Sequence, residues 1–391
     1  MTTPDTLGGR FTLTIAHVVG MIDMVALPIW VGTLMQYNHF RPAQAGFVVT
    51  LFLLGALTTS ILCAPLFNRL PRRWAAAGGF GISAASFALA AHYSIASNSF
   101  AMIAAFHIFA GFGVGTALSL TDGSIGRSAN PHRLFGIVNV MLGLSALLFL
   151  GIVSKWVASG GSPVLFTVFA IMMACAATAV LLAFPTVLPR DDDAKQLRLE
   201  RIPPAVWLLV GVVICITLTQ AMVFSFMERV GISKGFTAQQ VHLVLVSLGF
   251  ANLLPGFLAA ALQRRINPLA VGMIGPLAQA TLAVILSQST SFWPYAVASV
   301  IFVPVLIFTH TFLFGLITRL DTTGRTAAAT PAMTMAGACI GPAFGGVIVQ
   351  AIGYTGLGMA ACLLSFVAIV LMVLVRHNIR NKTAQLVRVQ V

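Results

Sequence analysis

Apolar residues run along this chain in long blocks separated by short polar breaks rich in Gly, Pro, Asn and Arg. Each block is about 20 residues or more, the length at which a helix crosses the hydrocarbon of a bilayer. The pattern predicts twelve spans, at 11–35, 44–67, 74–93, 100–121, 135–157, 163–184, 204–230, 240–262, 268–288, 294–318, 326–350 and 355–376. The longest polar break, PTVLPRDDDAKQLRLERIPP, runs from Pro185 to Pro204 and leaves six blocks on each side. The two sides also echo each other. FRPAQAGFVVTLFLLGAL from Phe40 aligns with FTAQQVHLVLVSLGFANL from Phe236 at an offset of 196, and GRSA at Gly126 aligns with GRTA at Gly324 at an offset of 198. Agreement near half the chain length points to a duplicated six-helix unit. The expected organisation is all-α and polytopic: a six-helix bundle over 1–184, a linker over 185–203, and a second six-helix bundle over 204–391 ending in a short tail.

Composition agrees with the pattern. The chain is 58% hydrophobic and 8% charged, against about 25% charged in an ordinary soluble domain. Its formal charge of +13 would suggest nucleic acid if the basic residues formed one face, but they lie in short loops and no nucleic-acid motif is present. Eighteen of the 22 Lys and Arg fall on one side of the twelve-span arrangement, leaving Arg41, Lys155, Arg229 and Lys234 opposite. The positive-inside rule then places both termini in the cytoplasm of a bacterial-type inner membrane. The five cysteines sit inside apolar blocks and read as small buried hydrophobes. The first block is too long for the core of a cleavable signal, so it is expected to remain as span 1.

Twelve spans, an internal 6+6 repeat and a polar central loop resemble the major facilitator superfamily along the whole chain. Between spans 2 and 3, APLFNRLPRR (Ala64 to Arg73) is similar to that family's G-x-L-x-D-R-x-G-R-R/K loop. It keeps Leu66, Arg69, Arg72 and Arg73, with Asn68 in place of the acid. In span 4, HIFAGFGVG keeps the family's glycines and carries His107 where the family has Arg. Gly341-Pro342-Ala343-Phe344-Gly345-Gly346 is similar to the G-P-x-x-G-G signature of the drug:proton antiporter branch. Here it lies in span 11 rather than span 5. The resemblance implies that spans 1, 4, 7 and 10 line a central cavity. It also implies a cytoplasmic gate of Asn68, Arg69, Arg72, Arg73, Asp122 and Arg325, in which Arg69 and Arg73 pair with Asp122.

An ionisable residue inside a span is costly, and so is a functional candidate. Of nine acids, Asp23 lies at the middle of span 1 and Glu228 near the outer end of span 7. Asp23 is expected to be a proton or cation site, or else a carboxyl held for packing. Glu228 is either a second such site or an interfacial partner of Arg229. His107 in span 4 and His310 in span 10 are further proton candidates, with ordinary hydrogen-bonded packing as the alternative. His17, six residues before Asp23, falls about 120° away on a continuous helix and reads as packing. No histidine pair has i,i+4 spacing, and neither a metal nor a cofactor is expected. Cavity candidates are Met24, Trp30, Gln220, Met222 and Phe226, adaptable apolar surfaces with one amide. Gly337, Gly341 and Gly345 recur every fourth residue and, with Gly346, predict a close helix contact, bent at Pro342.

No Lys or Arg lies well inside a span, which disfavours an anionic substrate. The leading expectation is a monomeric, proton-coupled exporter of hydrophobic or cationic small molecules working by alternating access. The alternative is a proton symporter importing a neutral nutrient. An enzyme would need a nucleophile–base pair or a metal cluster, and the sequence offers neither.

Overall fold

The computed structural model describes residues 3–186, 202–263, 265–321 and 330–389. Among these residues the regular structure is entirely helical. The helices are α1 (Leu7–Gly20), α2 (Asp23–Gln36), α3 (Pro42–Cys63), α4 (Arg72–Ala96), α5 (Phe100–Ile125), α6 (Pro131–Leu148), α7 (Ser154–Ala183) and α8 (Pro204–Ser233). They continue as α9 (Ala238–Ala251), α10 (Leu254–Leu262), α11 (Pro268–Gln288), α12 (Phe292–Leu320), α13 (Thr330–Ile352) and α14 (Thr355–Val389). Most of the central linker, from 187 to 201, and Arg325 lie outside the described residues.

Local sequence explains where the helices start. Proline opens α3, α6, α8 and α11, at the position where its missing N–H costs nothing. Asn130 caps α6 through Arg133 N (3.0 Å), and Thr237 and Gln240 cap α9 reciprocally. The helix bodies are apolar on nearly every face, as lipid demands. Four of the five tryptophans stand exposed at the rims. Trp74 and Trp207 lie near the end that carries the chain termini, and Trp156 and Trp293 near the opposite end. Indoles favour such headgroup levels.

Eleven stretches are long and apolar enough to cross a membrane among the described residues, one fewer than the sequence pattern predicts. The difference arises because the fifth and sixth predicted spans form one helical run, Arg133–Ala183, of 51 residues. A straight helix of that length would measure about 77 Å, over twice the hydrocarbon thickness. The run is not straight. It passes through a π turn at Phe149–Val153 and leaves helical geometry at Gly161 (φ 67, ψ −155), a conformation only glycine adopts readily. Two other predicted spans are also broken, at Met21–Ile22 between α1 and α2 and at Asn252–Leu253 between α9 and α10.

Packing places α3 against α5, α4 against α5 and α7, α11 against α12 and α14, and α8 against α13 and α14. The first and second halves of the chain meet where α2 crosses α8 and α3 crosses α13. Those crossings lie toward the end opposite the termini. Arg229 Nη1 donates to Gln36 Oε1 (3.2 Å), Ala343 N donates to Thr50 Oγ1 (3.1 Å), and His242 Nδ1 meets Ser154 Oγ at 3.0 Å.

Candidate functional site

The first span is interrupted at its middle, and the interruption positions Asp23. Helix α1 ends at Gly20, against which the Leu118 side chain of α5 packs where a Cβ would otherwise stand. Met21 leaves helical geometry (φ −94, ψ 29), and Asp23 begins α2. Backbone N–H groups in the first turn of a helix lack the usual partners four residues back. Here Met24 N and Val25 N turn instead to the carbonyls of Met21 (3.1 Å) and Ile22 (3.2 Å). Pro28 disturbs α2 one turn further on. Asp23 is only 3% exposed, and its Oδ2 has no protein hydrogen-bond partner. A buried carboxyl oxygen without a partner carries a large desolvation cost when ionised, so binding a proton or a cation relieves it. Met24 sits half-buried beside it.

Toward the terminus-bearing end, His17 Nδ1 lies 2.6 Å from Asp122 Oδ1 of α5, the His side chain 8% and the Asp side chain 24% exposed. The expected pairing of Asp122 with Arg69 and Arg73 is not made in this structure. Arg73 Nε donates to Leu181 O, Arg127 Nη1 donates to Asn68 Oδ1 (2.7 Å), and Arg72 and Arg127 both lie over the Phe67 ring. Arg69 is exposed, and Arg325 lies outside the described residues. On a continuous helix His17 would stand about 120° from Asp23. The wheel assumes 100° per residue throughout, and the break at Met21–Ile22 resets that angle before Asp23.

His107, expected as a proton site, is instead locked into an aromatic cluster. It is fully buried, with Nδ1 2.7 Å from Ile103 O and Nε2 3.1 Å from Trp30 Nε1. A carbonyl oxygen only accepts and an indole N–H only donates. Nδ1 must therefore carry the hydrogen and Nε2 the lone pair, leaving no site for a second proton. Trp30, expected in the cavity, is likewise fully buried, its ring packed against Phe52, Phe87 and Phe169.

Glu228 lies over α2 at Gly32, where a Cβ would stand 2.6 Å from Oε2. That oxygen too is buried without a protein partner, whereas neighbouring Arg229 reaches Gln36. Gly32 is nine residues beyond Asp23, so the two carboxyls are separated by about 13 Å along α2. They stand apart rather than together. His310 on α12 has a buried, unpartnered Nδ1 and a ring contact with Phe314 at 5.1 Å. Gln220 is buried with Oε1 unpartnered.

Met222 and Phe226, also expected to line the cavity, are fully buried beneath α13. The regular glycine face explains this. Gly337 packs on Ile214 and Thr217, Gly341 on Ala221 and Met222, and Gly345 on Met222 and Phe226, all on α8. Pro342 and Gly346 face the other way, onto Gly46 and Pro42 of α3. The glycine stretch thus holds two contacts at once, its i,i+4 face within the second half and its remaining residues against the first. Among the described residues, no three His, Cys, Asp or Glu side chains gather as metal ligands.

Residues 12–336 match the family described as Major Facilitator Superfamily. No curated protein is similar in sequence to this chain. Solved structures share the fold. A bacterial homologue of the human lysosomal transporter Spinster, inward-facing and occupied, is 14% identical with a TM-score of 0.70, over 97% of this chain and 98% of that one. The nucleoside transporter NupG is 14% identical with a TM-score of 0.70, over 95% and 98% of the two chains. A D-xylose-proton symporter gives 14% and 0.70 over 94% and 96%. The fold is that of transporters and not of enzymes.

Proposed function

Because the chain belongs to the major facilitator superfamily, we propose that it is a secondary active transporter that couples uptake of a small uncharged molecule to protons by alternating access. Asp23 carries this reading: a carboxyl at mid-span, 3% exposed, with an unpartnered oxygen at a helix break. Discontinuous helices at the midplane are where transporters of this kind hold substrate and coupling ion. The absence of Lys and Arg from the span interiors supports a substrate without negative charge. The solved relatives include a D-xylose-proton symporter and a nucleoside transporter, which supports uptake over the export expected from the sequence. Export of a cationic or hydrophobic compound is the second reading. It rests on the same unpaired carboxylate, which would also hold a cation.

The architecture proposed with this function has twelve crossings in two six-helix bundles, 1–184 and 204–391, joined by a linker at 185–203. Both termini are cytoplasmic in a bacterial-type inner membrane, and the protein is a monomer. The non-helical backbone at Gly161 and the exposed Trp156 support two crossings within Arg133–Ala183.

The test uses the purified chain in proteoliposomes with an inward proton gradient and panels of radiolabelled pentoses, nucleosides and lipophilic cations. Accumulation of a neutral solute that alkalinises the outer medium, abolished by Asp23→Asn, is the expected result. Proton-driven expulsion of a lipophilic cation would replace uptake with export. Undiminished coupled transport by Asp23→Asn would remove Asp23 from the mechanism.

A further inference from the structure

We propose that His17 and Asp122 form the proton passage between Asp23 and the terminus-bearing end of the molecule. This rests on the reading of Asp23 as the carrier of the coupled proton, and adds two residues and a direction to it.

Three observations meet here. Asp23 is buried, yet its Oδ2 has no protein partner. His17 lies on the preceding helix, six residues earlier, which is about 9 Å along the axis. Side chains on helices tilt toward the N-terminus alike, so the two groups keep about that spacing and a proton crosses between them through water. Asp122 holds the other side of the ring at 2.6 Å and is the more exposed of the pair, 24% against 8%. Exposure therefore rises in order from Asp23 through His17 to Asp122.

The surroundings leave the ring few other charges to answer to. Helices α5, α6 and α7 pack against α1. Helix α5 supplies Asp122, α6 turns the Phe135 ring edge-on to His17 at 6.3 Å, and the buried face of α7 carries no titratable residue. On α1 itself, Arg10 lies two turns away and faces Asp5 at 3.9 Å. Asp23, six residues along the chain, is the next acid beyond this pair.

The chemistry balances without a co-reactant. With Asp122 ionised, Nδ1 of His17 carries the hydrogen and Nε2 the lone pair. The Asp23 carboxylic acid gives its proton, through water, to Nε2 and becomes a carboxylate. The imidazolium so formed is paired with the Asp122 carboxylate, which offsets its charge at the moment it appears. Nδ1 then releases its proton to Asp122 and from there to solvent. A ring tautomer change returns the hydrogen to Nδ1. Run backwards, the same steps load Asp23. His107 cannot serve in this role, because both its nitrogens are committed to groups of fixed donor or acceptor character.

The experiment needs no knowledge of the transported solute. The full chain is reconstituted in lipid, and carboxyl C=O bands are followed by infrared difference spectroscopy after a pH jump. Asp23→Asn is expected to delete one titrating band. In His17→Gln that band is expected to persist but to respond about a hundredfold more slowly, the scale of a lost positioned acid–base group. Asp122→Asn, which keeps the side-chain shape, is expected to slow it in the same direction and decides the matter where His17→Gln does not fold. An unchanged rate in the folded variants overturns the passage. If Asp23→Asn deletes no band, Asp23 does not carry the proton, and the reading of the site itself fails.

Discussion

His17 and His107 lie within the first four spans, each less than a tenth exposed and each using Nδ1 to meet an oxygen. The identity of that oxygen separates them. His107 faces the Ile103 carbonyl, which can never take or give a proton, and its other nitrogen is fixed by the Trp30 indole. His17 faces the Asp122 carboxyl, which can do both. Burial is the same in kind for the two rings. One is a structural strut among aromatic side chains, and the other is paired with an acid. A histidine inside a membrane span is therefore read through its partners rather than its depth.

Three measurements would break or sharpen this contrast. His107→Ala opens a hole among Trp30, Phe87 and Phe166 and strands the Trp30 N–H. It is expected to cost about 3 kcal/mol of stability, seen as a lower denaturation midpoint in detergent, with the infrared response of Asp23 unchanged. A slowed Asp23 response in a folded His107→Ala would erase the distinction. Trp30→Phe keeps an aromatic ring but frees Nε2 of His107. It is expected to cost about 1.5 kcal/mol and to give the thermal midpoint a dependence on pH absent from the parent, measured from pH 5 to 8. Midpoints that track the parent at every pH would mean that the indole does not fix the ring. His17→Gln is expected to cost least, about 1 kcal/mol or less, because Asp122 is partly solvated and half of the pair survives as a neutral hydrogen bond. A loss on the scale of His107→Ala would make His17 a strut as well.

Much of the fold was legible because lipid imposes a simple rule. Any helix crossing it must be long and apolar, and the blocks of this sequence follow that rule. Asp23 was legible for the converse reason, since an acid there violates it. What escaped was geometry within the spans. The wheel angle between His17 and Asp23 does not carry over, because α1 stops at Gly20 and the break falls between the two. Trp30, Met222 and Phe226 look like cavity linings by type, but type does not reveal which helix face meets a neighbour. Met222 and Phe226 face α13 because glycines there let the backbone approach. Trp30 faces inward because Phe52, Phe87 and Phe169 gather around it. Arg69 and Arg73 were expected to seek Asp122. In this arrangement the acid is engaged by His17, Arg73 settles on the Leu181 carbonyl and Arg69 is exposed.

The exposed indoles at both rims give the molecule a fixed stature. Trp74 and Trp207 anchor one surface and Trp156 and Trp293 the other, and an indole resists being drawn into hydrocarbon or pushed into water. A bilayer thinner than the gap between the rims would force the helices to lean. The lean would fall on the crossings between the two halves, among them the one where the Glu228 carboxyl rests on the bare backbone of Gly32. Lipid chain length would then act on this protein as a mechanical load on the end where its two halves meet, set by the membrane it inhabits rather than by any solute it carries.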